Sequence, residues 1–197
     1  MTQIISIIGV SGVGKTSLVR ALNARNQFAL GLESHTERPF QADFKTDSGF
    51  CLANQFDFLL FRAEQEKALR DDSRPALVDG GLDLDFHGFT RLFHARGWLS
   101  DAEFELVRRF YHHLRGNLPP PNLILHLTAS EAAIQQRLAS RNRINLASFD
   151  DTSLLATFID DWLKSVPSER LVQIDVTHEA PDFGGCVPKI LKLINTL

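Results

Sequence analysis

The stretch Gly9-Val10-Ser11-Gly12-Val13-Gly14-Lys15-Thr16 fits the pattern G-x-x-x-x-G-K-[ST], a loop that cradles phosphate groups. Its surroundings are those the pattern needs. Ile4 to Ile8 is a short apolar, β-branched run that reads as a buried strand, and Thr16 to Asn26 reads as a helix with Leu18, Val19 and Leu22 at helical spacing. Glycines between a strand and a helix N-terminus let the backbone turn inward and aim N–H groups at phosphate oxygens, with the helix's partial positive charge behind them. The candidate nucleotide-phosphate ligands are therefore Gly9, Ser11, Gly12, Val13, Gly14, Lys15, Thr16 and Ser17. Lys15 would reach the β- and γ-phosphates, and Thr16 would offer its hydroxyl to Mg²⁺. A glycine-rich turn that merely joins strand to helix is the plainer reading, and the number of matched positions in the right context weighs against it.

A chain that opens this way is expected to be α/β, and the rest of the pattern agrees. Candidate strands lie near residues 4–8, 28–33, 76–79, 123–127 and 171–176, alternating with helical segments. That alternation argues for a five-stranded parallel sheet with helices on both faces. The 197 residues suit one domain over 1–197. With 44% hydrophobic and 23% charged residues and a net charge of −3, the composition argues against a nucleic-acid polymer or a membrane surface as partner. No run approaches the length of a membrane span, and the apolar N-terminus lacks the basic lead-in of a signal peptide. Cys51 and Cys186 have neither metal nor redox spacing, so free thiols in a reducing cytoplasm are expected. The histidines show no ligand spacing, and no metal beyond Mg²⁺ is expected.

Along the chain, Ser34 to Phe40 reads as a loop stopped by Pro39, and Phe50 to Leu69 as a long helix, apolar nearly all round and hence buried. Gln55, Phe58, Leu59 and Arg62 share one face of it. A buried amide and guanidinium need partners, which a structural ion pair or a polar small-molecule pocket would supply. Pro75 to Asp79 is a strand ending in an acid, the placement of a second carboxylate that holds Mg²⁺ in a P-loop protein. Gly80-Gly81 breaks that strand, and a helix starting near Asp83 or Asp85 puts Asp85 and Phe89 one turn apart. Ser100 to Glu103 and Thr128 to Glu131 read as capping boxes that open two further helices. The second of these carries Arg137 and Arg141, followed by Arg143 and an aperiodic stretch to Asp151. A solvated charge cluster is the common meaning of such arginines; in a phosphoryl-transfer enzyme they could form a lid. Helices at about 152–164 and 187–195 complete the chain.

These stretches resemble the deoxynucleoside kinase family of P-loop kinases, from the P-loop to about Trp162. Glu33 to Phe40 resembles the bacterial family's Glu-Pro-x-x-x-Asn-Pro-Phe/Tyr stretch, Gln55 and Arg62 its Gln-x-x-x-x-x-x-Arg pair, and Leu118 to Leu123 the lead into its fourth strand. Arg137, Arg141 and Arg143 resemble its Arg-x-x-x-Arg-x-Arg lid, at about 141–151. The resemblance implies a P-loop kinase fold with an arginine-rich lid, ATP and Mg²⁺ as cofactors, and a small-molecule nucleoside as substrate. It implies that Glu33 binds the 5′-hydroxyl and acts as base, that Gln55 pairs with the base edge, and that Asp85 and Phe89 select and stack the base. Lys15 and the lid arginines would stabilise the transferring group, and Thr16 and Asp79 would hold the metal.

The departures fall on the sugar side. Gly80 and Gly81 stand where the family has Arg-Ser after its acid, Phe44 stands where a tyrosine is expected, and no glutamate follows Arg143. Asp150 or Asp151 could replace that glutamate. The reading is an ATP-dependent kinase acting on the 5′-hydroxyl of a deoxynucleoside. A P-loop kinase for another small hydroxyl compound, or a non-catalytic or hydrolytic nucleotide-binding switch, are the alternatives. The apolar helices could support a homodimer.

Overall fold

The computed structural model describes residues 2–32, 37–139 and 149–196. Glu33, Arg141, Arg143 and most of the expected lid lie outside the described residues. The chain runs β1 (Ile4–Ile8), α1 (Lys15–Asn23), β2 (Ala29–Gly31), α2 (Pro39–Thr46), α3 (Cys51–Arg70) and β3 (Ala76–Asp79). A helical run follows, built from α4 (Leu82–Leu84), a π-turn at Asp85–Thr90 and α5 (Arg91–Ala95). Then come α6 (Asp101–Gly116), β4 (Leu123–Thr128), α7 (Glu131–Ala139), α8 (Phe149–Leu163), β5 (Leu171–Asp175) and α9 (Val187–Ile194).

The strands form one parallel sheet in the order β2-β3-β1-β4-β5. All of Ile4–Ile8 is buried, as a central strand covered on both faces must be, which is why every residue but Ser6 is isoleucine. β5 lies at the edge and is only partly buried. Strand order reverses beside β1, so the carboxyl ends of β1 and β3 open onto the crevice where such sheets bind ligands. The largest core cluster joins β1, β4 and α1 to α8 and α9.

Four local expectations are corrected. Pro39 and Phe40 belong not to the loop but to α2, which Pro39 starts, where its missing N–H costs nothing and its fixed φ suits the first helical turn. α3 is not apolar all round. Its buried face carries Asn54, Gln55, Arg62 and Glu66 beside Cys51, Leu59 and Leu69, while Leu60 is 45% exposed. Thr128 caps no helix, because it stays in β4 opposite Asp175; Ser130 precedes α7 instead, and its Oγ accepts from Ala133 N. The C-terminal end of the expected lid is helical, since α8 already begins at Phe149, and there the buried Asp151 accepts from Arg96 Nε at 2.6 Å. The Asp150 side chain lies outside the described residues. The Ser100–Glu103 box forms as expected, with Ser100 N donating to Glu103 Oε2 at 2.8 Å.

Candidate active site

The loop from Gly9 to Gly14 leaves the end of β1 and delivers α1 with Gly14 at its N-cap. Gly14 has φ +115, and a Cβ there would come within 2.9 Å of the Phe183 ring. The position therefore demands glycine on both conformational and steric grounds. No side chain caps α1, so its first N–H groups are left for an anion. Lys15 Nζ folds back and donates to the carbonyls of Gly9 at 3.0 Å and Val10 at 3.1 Å, which holds the ammonium over the loop. Ser11 is half-buried and Ser17 is exposed on the first turn.

Thr16 and Asp79 meet although 63 residues separate them. β1 and β3 pair in parallel with Ile7 opposite Asp79, so both strands end at the same level beside α1. Thr16 Oγ1 donates to Asp79 Oδ2, and Asp79 is buried. A hydroxyl and a carboxylate in contact at the mouth of a phosphate loop are the oxygen donors a Mg²⁺ site takes from protein, so the donor set fits that ion. Gly80 and Gly81, with φ +82 and +102, turn the chain sharply after Asp79, a conformation that an L side chain would strain.

A second group of polar residues sits where α3 faces the π-turn. Arg62 Nε donates to Asp85 Oδ2 at 2.8 Å, and both residues are buried. Two turns back along α3, Gln55 Oε1 lies 2.6 Å from the hydroxyl of Thr90. Gln55 and Arg62 thus hydrogen-bond to the two ends of Asp85–Thr90. This segment supplies partners for Gln55 and Arg62, while Glu66 on the same face accepts from Arg70 and Arg115. Arg62 continues to Gln65, whose Nε2 donates to Leu32 O at 2.8 Å, so α3 also ties down the end of β2. Phe89 is half-buried between two apolar clusters. Phe44 is buried against Phe93 and Trp98, at 5.2 and 5.4 Å between ring centroids.

Arg137 lies in the last turn of α7 and donates to Val13 O at 2.9 Å and Val176 O at 2.6 Å. It clamps the phosphate loop to the chain leaving β5. Phe183 seals the same junction: its ring sits on Gly14 and is buried, and its backbone has the left-handed φ of +56, rare for a bulky residue. Sequence reasoning missed Thr90, Gln65 and Phe183. Only the requirement that a buried Gln or Arg find partners hinted at the first two, and nothing local marks Phe183.

The deoxynucleoside kinase family model matches residues 5–183. The deoxyguanosine kinase of Bacillus subtilis (strain 168) is 28% identical over 188 residues, which span 91% of this chain and 88% of that protein. The deoxyadenosine kinase of Dictyostelium discoideum is 28% identical over 142 residues, spanning 71% of this chain and 57% of that one. A solved structure of deoxyadenosine kinase from M. mycoides with bound dCTP covers 99% of this chain and 100% of its own, with a TM-score of 0.82 and 17% identity. That likeness carries the fold; the match over residues 5–183 carries the family, and the chain belongs to the deoxynucleoside kinases.

Proposed function

We propose that this kinase, read as one domain over 1–197, transfers the γ-phosphoryl group of ATP to the 5′-hydroxyl of a deoxynucleoside. The observation that carries the phosphate half is the Thr16–Asp79 contact beside an uncapped helix N-terminus. Lys15 and the N–H groups of the loop hold the β- and γ-phosphates, and Lys15 offsets charge as it moves onto the leaving oxygen. Thr16 and Asp79 hold Mg²⁺, which when bound neutralises phosphate charge. Glu33, by the resemblance of its stretch, takes the hydroxyl proton; Arg141 and Arg143 approach the transferring group. Gln55 reads the base edge, with Arg62, Asp85 and Phe89 around it. The relatives' names support a deoxynucleoside as acceptor, and a cytoplasmic salvage role follows from that reading.

A second reading, a P-loop kinase for another small hydroxyl compound, draws on Phe44. Its ring packs into an apolar cluster and brings no hydroxyl toward a sugar. ADP release measured against a panel of deoxynucleosides separates the readings. Release is expected to require a deoxynucleoside and to be lost in Lys15→Ala, with that variant still folded by circular dichroism. Release without any acceptor would instead show a hydrolytic switch. A folded Lys15→Ala variant with near-full turnover would refute the phosphate-site assignment.

A further inference from the structure

Thr90 is fully buried, and its hydroxyl lies 2.6 Å from Gln55 Oε1 and 3.1 Å from the backbone carbonyl oxygen of Asp85. A hydroxyl carries one proton and two lone pairs, so it donates to one neighbour at a time while accepting from another. The two ends of a carboxamide have nearly the same shape, and hydrogen-bond partners decide which way round it lies. Two arrangements therefore satisfy this contact. In the first, Thr90 donates to Gln55 Oε1. In the second, the carboxamide is turned over, its Nε2 donates to Thr90 Oγ1, and Thr90 gives its own proton to the Asp85 carbonyl. That carbonyl is within reach because Asp85–Thr90 is a π-turn, which brings residues five apart into register. Neither arrangement leaves the Thr90 hydroxyl without a partner.

Base edges fall into two matching classes. Adenine and cytosine present an amino donor beside a ring-nitrogen acceptor. Hypoxanthine, guanine and uracil present a carbonyl acceptor beside a ring N–H. A carboxamide meets the two classes in opposite orientations. We propose that Thr90 is a positioning residue that supports Gln55 in either orientation, so that the pocket accepts amino-edged and oxo-edged bases of one ring size. The proposal rests on the nucleoside reading above. A pocket built around one orientation would instead reject the other class, because its own polar groups would be left unpaired.

Steady-state kinetics on deoxyadenosine and deoxyinosine test this, since the two differ only along the edge that a carboxamide would read. Deoxycytidine and deoxyuridine serve in the same way if the pocket takes the smaller ring. The wild type should show kcat/KM values within about tenfold across the pair, against about 10⁴-fold for a one-orientation site. Thr90→Val keeps the shape and removes the hydroxyl, so KM for both members should rise about tenfold, the worth of one hydrogen bond, with kcat unchanged. Thr90→Ser should restore both KM values. A wild-type preference of about a hundredfold or more within the pair overturns the proposal while leaving the nucleoside reading intact. So does a folded Thr90→Val variant with unchanged KM for both members. If Thr90→Val does not fold, the wild-type ratio decides alone. A folded wild type that phosphorylates no deoxynucleoside overturns the nucleoside reading and this proposal together.

Discussion

Glu37 is already engaged, because Lys45 Nζ donates to its Oε1 from the far end of α2. That leaves Glu33, four residues earlier, as the carboxylate the resemblance assigns to the acceptor hydroxyl. Glu33→Gln should lower kcat by about a hundredfold or more, the usual worth of a positioned base, while Glu37→Gln changes little. The reverse ranking in steady-state kinetics would overturn the alignment of this stretch. Phe44 supports a second expectation at this scale. An enzyme that bonds a sugar hydroxyl rejects the analogue lacking it, because its own groups are left unpaired. Phe44 has no hydroxyl to leave unpaired, and Asp151 is held by Arg96 rather than standing ready for a sugar. A 3′-deoxy analogue should therefore retain kcat/KM within about tenfold of the parent deoxynucleoside, a gap of about 1.4 kcal/mol. A thousandfold preference for the hydroxyl would point to a sugar ligand supplied from elsewhere.

Among the elements, the phosphate loop is positioned from two sides: β1 and α1 carry it, and Arg137 and Phe183 fasten it to the chain leaving β5. The resemblance casts Arg137 as a lid residue; the geometry gives it a structural duty as well. Arg137→Met keeps the stem and removes the guanidinium. It should cost about 2 kcal/mol of stability, since bonds from a charged donor are lost at two buried carbonyls. It should also raise KM for ATP more than KM for the nucleoside. Denaturant midpoints and both KM values check this. Full stability with a large loss of kcat would favour a purely lid-like role. The positions of these elements were legible in the sequence, because strand runs and helix periods are local. The clamp was not, since Val13 and Val176 come together only when β1, β4 and β5 lie side by side.

For the whole molecule, the cluster behind the helical run is what acid should attack. His87 stacks on Trp162 at 5.0 Å between ring centroids, and its Nε2 lies 3.1 Å from the Tyr111 hydroxyl. Tyr111 gives its proton to Asp83 Oδ1 at 2.7 Å, so the imidazole donates to Tyr111 from Nε2. Burial, with smaller contributions from the nearby Arg91, His112 and Arg115, pushes the His87 pKa down to about 4. The unfolded chain therefore binds more protons than the native one between about pH 6.5 and about pH 4. The stability His87 contributes is present above that window and lost as pH falls through it, by about 3 kcal/mol in all. Denaturant unfolding at neutral pH and at about pH 5 should show the loss, and His87→Phe should flatten the slope across the window. An unchanged slope in that variant would assign the acid sensitivity to other groups. Leu60 on α3 and Leu106 on α6 are among the large exposed apolar side chains that a homodimer could cover, a proposal that sedimentation would test.

The sequence by itself determined the α/β alternation, the phosphate loop and the second acid, because each depends on short-range pattern: β-branched runs, glycines at set spacing, and a carboxylate at a strand end. It also placed Gln55 and Arg62 on one helix face, since seven-residue spacing on a helix is itself geometric information, while only the resemblance linked Asp85 to them. Tertiary structure alone decided which of those polar groups meet. Asp85 joins Arg62, Gln55 joins Thr90, and Arg137 reaches back to Val13, because sheet order and the π-turn set those distances. Pro39 shows the limit of local signals in the other direction. The same residue that ends a helix from inside begins one at its first turn, and the partner that settles the matter for α2 is α3, packed across from it.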